Sequence, residues 1–190
     1  MRVVAILLAA GSSRRFGGEK LLASWRGRPL YEHALEALAS SPGVGETLVV
    51  VRPGFAVPRA RPRCRFVLNP EHAEGMGSSL RAGVREAPGD TDAYLVALAD
   101  MPRITPGLVA SLIARYEAVG KRIVVPVHRG RRGHPVLISR ELREPLLALA
   151  GDVGAREIVR AHPEWVGELE TGDESVLLDV DVPADLGGAG

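Results

Sequence analysis

The residues best equipped for chemistry form one stretch near the start of the chain, Leu8-Ala9-Ala10-Gly11-Ser12-Ser13-Arg14-Arg15-Phe16-Gly17-Gly18-Glu19-Lys20. Small residues let backbone N–H groups approach an anion, while guanidinium and ammonium groups neutralise phosphate oxygens, so the stretch suits a di- or triphosphate. Its spacing excludes two common phosphate loops. Five residues separate Gly11 from Gly17 and the lysine follows no glycine, so it is not a Walker A loop, and it lacks G-x-G-x-x-G. An ordinary strand-to-helix turn with solvated arginines would have the same composition. Lys20 stands out because the chain has 22 arginines and only two lysines, Lys20 and Lys121.

Carboxylates come from two distant places. Asp100, in Leu98-Ala99-Asp100-Met101-Pro102, follows an apolar run, where an acid can hold Mg²⁺ through hard oxygen coordination or simply form a turn before Pro102. Asp179 and Asp181, in Asp179-Val180-Asp181-Val182-Pro183, share one face of an extended segment by alternation. Asp181 is the better second metal ligand, and Asp179 is equally suited to a structural role. Asn69, Ser78 and Ser79 offer hydrogen bonds to a base or ribose, or else a turn and a helix cap. His134 sits in Arg131-Arg132-Gly133-His134-Pro135, where neighbouring cations disfavour its protonated form. The remaining histidines, His33, His72, His128 and His162, lack metal-ligand spacing.

These groups need a frame that brings them together. Residues 3–8 are continuously apolar and rich in β-branched side chains, as in a strand buried on both faces of a parallel sheet. Residues 47–51, 66–68, 94–98 and 123–125 repeat that character, with gaps long enough for crossovers. Leu30, Ala34, Leu35 and Leu38 fall at helical spacing, and residues 80–87, 108–119 and 142–150 predict further helices, the second entered through Thr105-Pro106. The expectation is an α/β, Rossmann-like single domain over residues 1–190, a mostly parallel sheet flanked by helices, with a small lobe around residues 130–139.

Composition narrows the class. A formal net charge of +1 from 24 basic and 23 acidic residues removes the long-range field of a dedicated nucleic-acid or acidic-membrane binder. The longest early apolar run, residues 3–10, falls well short of the roughly 20 residues that span a bilayer and flows into a patterned loop, so secretion is rejected. One cysteine, Cys64, excludes a disulfide framework and a Cys-rich zinc site and fits a cytoplasmic location.

Several motifs, in order, resemble the molybdenum cofactor cytidylyltransferases of the MobA-like nucleotidyltransferase superfamily. Residues 8–22 resemble L-A-A-G-x-S-x-R-x-G-x-x-K-L-L, residues 75–83 resemble G-M-x-x-S-L-x-x-G, and Asp100-Met101-Pro102 resembles D-M-P. Gly133-His134-Pro135, residues 151–156 and residues 179–186 resemble G-H-P, G-D-x-G-A-R and D-x-D-T-P-x-D-L, the last with Val182 for the usual threonine. The guanylyltransferases of the same pathway usually show L-A-G-G, with glycine where Ala10 stands, which favours cytidine.

The resemblance implies a glycosyltransferase-A-like fold. It also implies that Leu8, Ala9, Ala10, Gly11 and Ser12 border the nucleotide, that Arg15 and Lys20 meet its phosphates, and that Asp100 and Asp181 hold Mg²⁺. Arg15, Lys20 and Asp100 are then the catalytic set, Asn69, Ser78 and Ser79 join the nucleotide site, and His134 and Arg156 meet the second substrate. The implied reaction is attack by the phosphate of a molybdopterin-type cofactor on the α-phosphorus of CTP, releasing pyrophosphate, with an acceptor molybdoenzyme as partner. A GTP-using guanylyltransferase and an NAD(P)H-dependent oxidoreductase on the same fold are the alternatives.

Overall fold

The computed structural model describes residues 1–11, 16–57 and 61–187. Among the described residues ten strands form, β1 (Val3–Ala9), β2 (Ser24–Trp25), β3 (Arg28–Pro29), β4 (Val44–Val51), β5 (Cys64–Leu68), β6 (Ala93–Leu98), β7 (Ile123–His128), β8 (Arg131–Arg132), β9 (Val136–Ser139) and β10 (Val166–Glu170). The α-helices are α1 (Leu30–Ala39), α2 (Met76–Glu86), α3 (Pro106–Val119), α4 (Arg143–Leu147) and α5 (Arg156–Ala161). The main sheet runs β10-β7-β9-β6-β1-β4-β5, with β8 paired to β7 and β2–β3 a separate hairpin.

β1 pairs in parallel with both β4 and β6, and β4 with β5, so the apolar runs read from sequence do build the parallel half of the sheet. The chain leaves β1 outward through β4 and β5, then returns to β6 on the other side of β1. That reversal makes a crevice at the carboxyl ends of β1 and β6, the place where open α/β sheets take ligands. Alternation along β1 divides the core: Val3, Ala5, Leu7 and Ala9 pack with α1 and α3, whereas Val4 and Ile6 pack with α2, α4 and α5.

Three expectations change. The small lobe around residues 130–139 is absent; Val136–Ser139 instead inserts as buried strand β9, antiparallel to both β6 and β7. The helix predicted over 142–150 stops at Leu147, and a loop at 148–155 follows. That loop packs on the start of α2, where Gly77 N donates to Gly151 O at 3.1 Å. The segment expected to be extended around Asp179 and Asp181 is irregular chain that follows a 3₁₀ turn at Glu174–Leu177. The predicted α3 entry holds, with Thr105 Oγ1 accepting from Leu108 N at 3.2 Å and Pro106 in the first turn. Among the described residues, no helix is long and apolar enough to cross a membrane.

Candidate active site

Lys20 opens a 3₁₀ turn, Lys20–Leu22, whose Leu21 is buried in the core. That anchor, with Ala23 N donating to Glu19 O, fixes the backbone beneath the lysine, and an ion pair between Glu19 and Arg52 at the end of β4 braces the approach. The ammonium points inward. Its Nζ donates to Asp100 Oδ2 at 2.8 Å and lies 3.6 Å from Asp181 Oδ1.

Asp100 is presented just beyond β6 by a turn in which Met101 N donates to Leu98 O, while Ala99 N donates to Leu8 O and ties the ends of β1 and β6 together. Eighty residues later the chain returns beside it, and Val180 N donates to Asp100 O at 2.9 Å. This bond joins the two acidic segments directly. Asp185 secures the second one, accepting from Asp181 N at 2.8 Å and Val182 N at 2.9 Å. Those two donors hold the Asp185 carboxyl below the usual carboxylate range. Since the bond at position 182 comes from the backbone, valine serves there as well as threonine.

Asp100, Asp179 and Asp181 each offer a carboxylate oxygen within 4.8 Å of the others. Partial desolvation, then the charges of Asp100 and Asp181, push the Asp179 carboxyl above its ordinary range, with Lys20 pulling it down. Asp100 Oδ1 is buried and has no hydrogen-bond partner. A buried, unpaired oxygen on one of three clustered acids fits a hard divalent cation, whose preferred ligands are carboxylates. Asp179 therefore joins the pair expected from sequence; its alternation with Asp181 was the visible signal.

The cluster forms one wall of a cleft of about 650 Å³. Leu8, Ala10, Gly11, Lys20 and Ser79 line it, as the sequence reading expected, and so do Phe16, His72, Glu74, Met76 and Asp152, which that reading missed. The opposite wall arises from close packing. A Cβ on Gly75, whose φ is +107°, would lie 2.6 Å from Asp152 N, and Asp152 Oδ1 accepts from Met76 N at 3.2 Å. Glycine is the only residue that lets these segments touch.

Other expected residues lie elsewhere. Asn69 and Ser78 do not line the cleft, and each is 1% exposed. Asn69 Nδ2 donates to Ser78 Oγ at 2.9 Å and Ser79 Oγ at 3.0 Å, its Oδ1 accepts from Glu71 N, and Ser78 Oγ donates to Gly75 O. Both side chains order the entry to α2. Ala9 is buried in β1 and off the cleft lining. His134 also stands off the lining, with a buried Nδ1 lacking a partner. Desolvation pushes its imidazole below the ordinary histidine value, against a hydrogen bond to the Val96 backbone and the charge of Asp100, while Arg156 adds to the lowering. Arg156 is exposed at the first residue of α5. Ser12, Arg14 and Arg15 lie outside the described residues.

Comparisons with known proteins agree with this architecture. The MobA-like NTP transferase domain matches residues 5–166. Nicotine blue oxidoreductase of Paenarthrobacter nicotinovorans is 35% identical, covering 94% of this chain and 92% of its own. A probable molybdenum cofactor guanylyltransferase of Bacillus subtilis (strain 168) is 31% identical, covering 88% and 86%. Among solved structures, Rv0371c of Mycobacterium tuberculosis H37Rv superposes with a TM-score of 0.83 at 25% identity, covering 96% of this chain and 94% of that one.

Proposed function

The chain belongs to the MobA-like NTP transferase family, and from that premise we propose that it transfers CMP from CTP to the phosphate of a molybdopterin-type cofactor, releasing pyrophosphate. The observation that carries this reading is the convergence of Lys20, Asp100 and Asp181 in one cleft, with one buried Asp100 oxygen left without a hydrogen-bond partner.

Asp100, Asp179 and Asp181 would hold Mg²⁺, which when bound supplies positive charge against the transferring phosphoryl group. A phosphate monoester is already ionised near neutral pH, so the nucleophile needs alignment and relief from anionic repulsion rather than a base. Lys20 provides that relief from a fixed turn, and Arg15 is assigned the same task. His134 accordingly acts as a neutral hydrogen-bonding group behind the cleft, and Arg156, exposed at the start of α5, is assigned the second substrate's anion. Gly11 lines the same cleft, exposing backbone to the nucleotide. The methyl group of Ala10 also lines it and supports the choice of cytidine over guanosine.

Two named relatives favour other readings. The guanylyltransferase favours guanylyl transfer, and the oxidoreductase favours redox chemistry, for which NAD(P)H is the reductant to test. One experiment with two arms separates all three: purified protein with molybdopterin-type cofactor, Mg²⁺ and each nucleoside triphosphate, the product identified by mass, and in parallel the same protein with NAD(P)H and nicotine blue as acceptor. A cytidine dinucleotide with pyrophosphate release is the expected outcome, and a guanosine adduct replaces the base assignment alone. NAD(P)H consumption without pyrophosphate overturns transferase chemistry.

A further inference from the structure

The described lining of the cleft carries five carboxylates, Glu74, Asp100, Asp152, Asp179 and Asp181, against one ammonium, that of Lys20. Of these, Glu74 is paired with Arg81 at 2.7 Å, which leaves Asp100, Asp179 and Asp181 as the acids grouped around the ammonium. Lys20 is bound to the same acids that would hold a metal, at 2.8 Å from Asp100 and 3.6 Å from Asp181. It is also 8% exposed, on a turn pinned by buried Leu21, so its charge cannot simply swing into solvent.

We propose that Lys20 is an internal counter-ion that gives up Asp100 and Asp181 only when triphosphate oxygens replace them, so that metal and nucleotide enter the cleft as one complex. This rests on the metal–triphosphate reading of the site and goes beyond it by specifying the species that binds. Its physical basis is pairing. Displacing Lys20 from the acids without a replacement anion strands a nearly buried ammonium, which is costly. With phosphate oxygens at hand, every charge finds a partner on both sides of the exchange. The coupling is reciprocal, so nucleotide must tighten metal binding by the same factor by which metal tightens nucleotide binding.

The test follows free Mn²⁺ by electron paramagnetic resonance during titration of the wild-type protein and of Lys20→Met, with and without a non-hydrolysable CTP analogue, correcting for Mn²⁺ bound by the analogue in buffer. The analogue should tighten Mn²⁺ binding to wild type about tenfold or more, and Lys20→Met should bind Mn²⁺ alone about tenfold more tightly than wild type and show a correspondingly smaller effect of the analogue. Equal Mn²⁺ affinity of the two proteins without analogue overturns the proposal while leaving the metal reading intact. No Mn²⁺ binding to either, with or without analogue, overturns both. If Lys20→Met does not fold, wild-type protein carrying ¹³Cε-lysine answers instead, because the chain has only two lysines and Lys121→Arg assigns the signals. The Lys20 signal should stay in place with Mg²⁺ alone and move with Mg²⁺ plus analogue. Movement to the same final position with Mg²⁺ alone contradicts the proposal.

Discussion

At the scale of single residues, function depends on groups whose roles differ although their positions adjoin. Lys20 and Asp100 pair at 2.8 Å, so truncating either leaves the other facing the cleft without its partner. Lys20→Ala and Asp100→Ala should each lower turnover by roughly 100-fold or more, on the scale of losing one preorganised electrostatic contact. Circular dichroism should show the fold retained, and near-wild-type turnover in either variant removes that residue's role. Ala10 is buried, lines the cleft and presents only a methyl group. Ala10→Gly should therefore shift the CTP-to-GTP ratio of kcat/KM toward GTP; an unchanged ratio assigns base choice to other positions. Asp185 acts through Asp181, so Asp185→Ala should weaken Mn²⁺ binding several-fold, and Asp185→Asn, which keeps an acceptor oxygen, should recover most of it.

At the scale of elements, glycines set how closely segments approach, and two of them separate stability from function. Gly83 lies in α2, where glycine-to-alanine would ordinarily gain about 1 kcal/mol of helix stability. Here the added Cβ would sit 2.5 Å from Ile6 Cγ2 and 3.3 Å from Val50, and overpacking costs about 1–3 kcal/mol, so Gly83→Ala should lower the melting temperature with little effect on KM. At Gly133 the Cβ would meet Val176 O at 2.1 Å. Moving that carbonyl displaces the chain leading to Asp179 and Asp181, so Gly133→Ala should raise the KM for the metal–nucleotide complex as well as lower the melting temperature. A melting change without a KM change would detach this glycine from the site.

The strands at the heart of the sheet were legible because burial on both faces makes β1, β6 and the inner residues of β4 (48–51) and β7 (123–127) apolar runs. Strand β9 was not, since four residues after a proline look like loop, and β10, reading Val-Gly-Glu-Leu-Glu at the sheet edge, is too polar to stand out. The clustered lysine and acids were visible as types in a pattern. Met76, Glu74 and Asp152 were invisible because their wall arises from a loop settling onto Gly75 and Gly77, a contact that no local periodicity encodes. Asn69 misled for a related reason: a buried amide holding two serines has the same sequence as one holding a base.

At the scale of the whole molecule, a nearly neutral chain concentrates acids at one cleft on the switch point of its sheet. On the proposed reading, that placement makes divalent cation and triphosphate mutually dependent guests. The most direct measurement is a crystal structure with Mn²⁺ and a non-hydrolysable CTP analogue, read by anomalous scattering. An anomalous peak bound by Asp100 and Asp181, with Lys20 Nζ moved from Asp100 onto phosphate oxygen, is the predicted result. Nucleotide bound outside the cleft, with Lys20 still paired to Asp100 and no peak among the three acids, would contradict it.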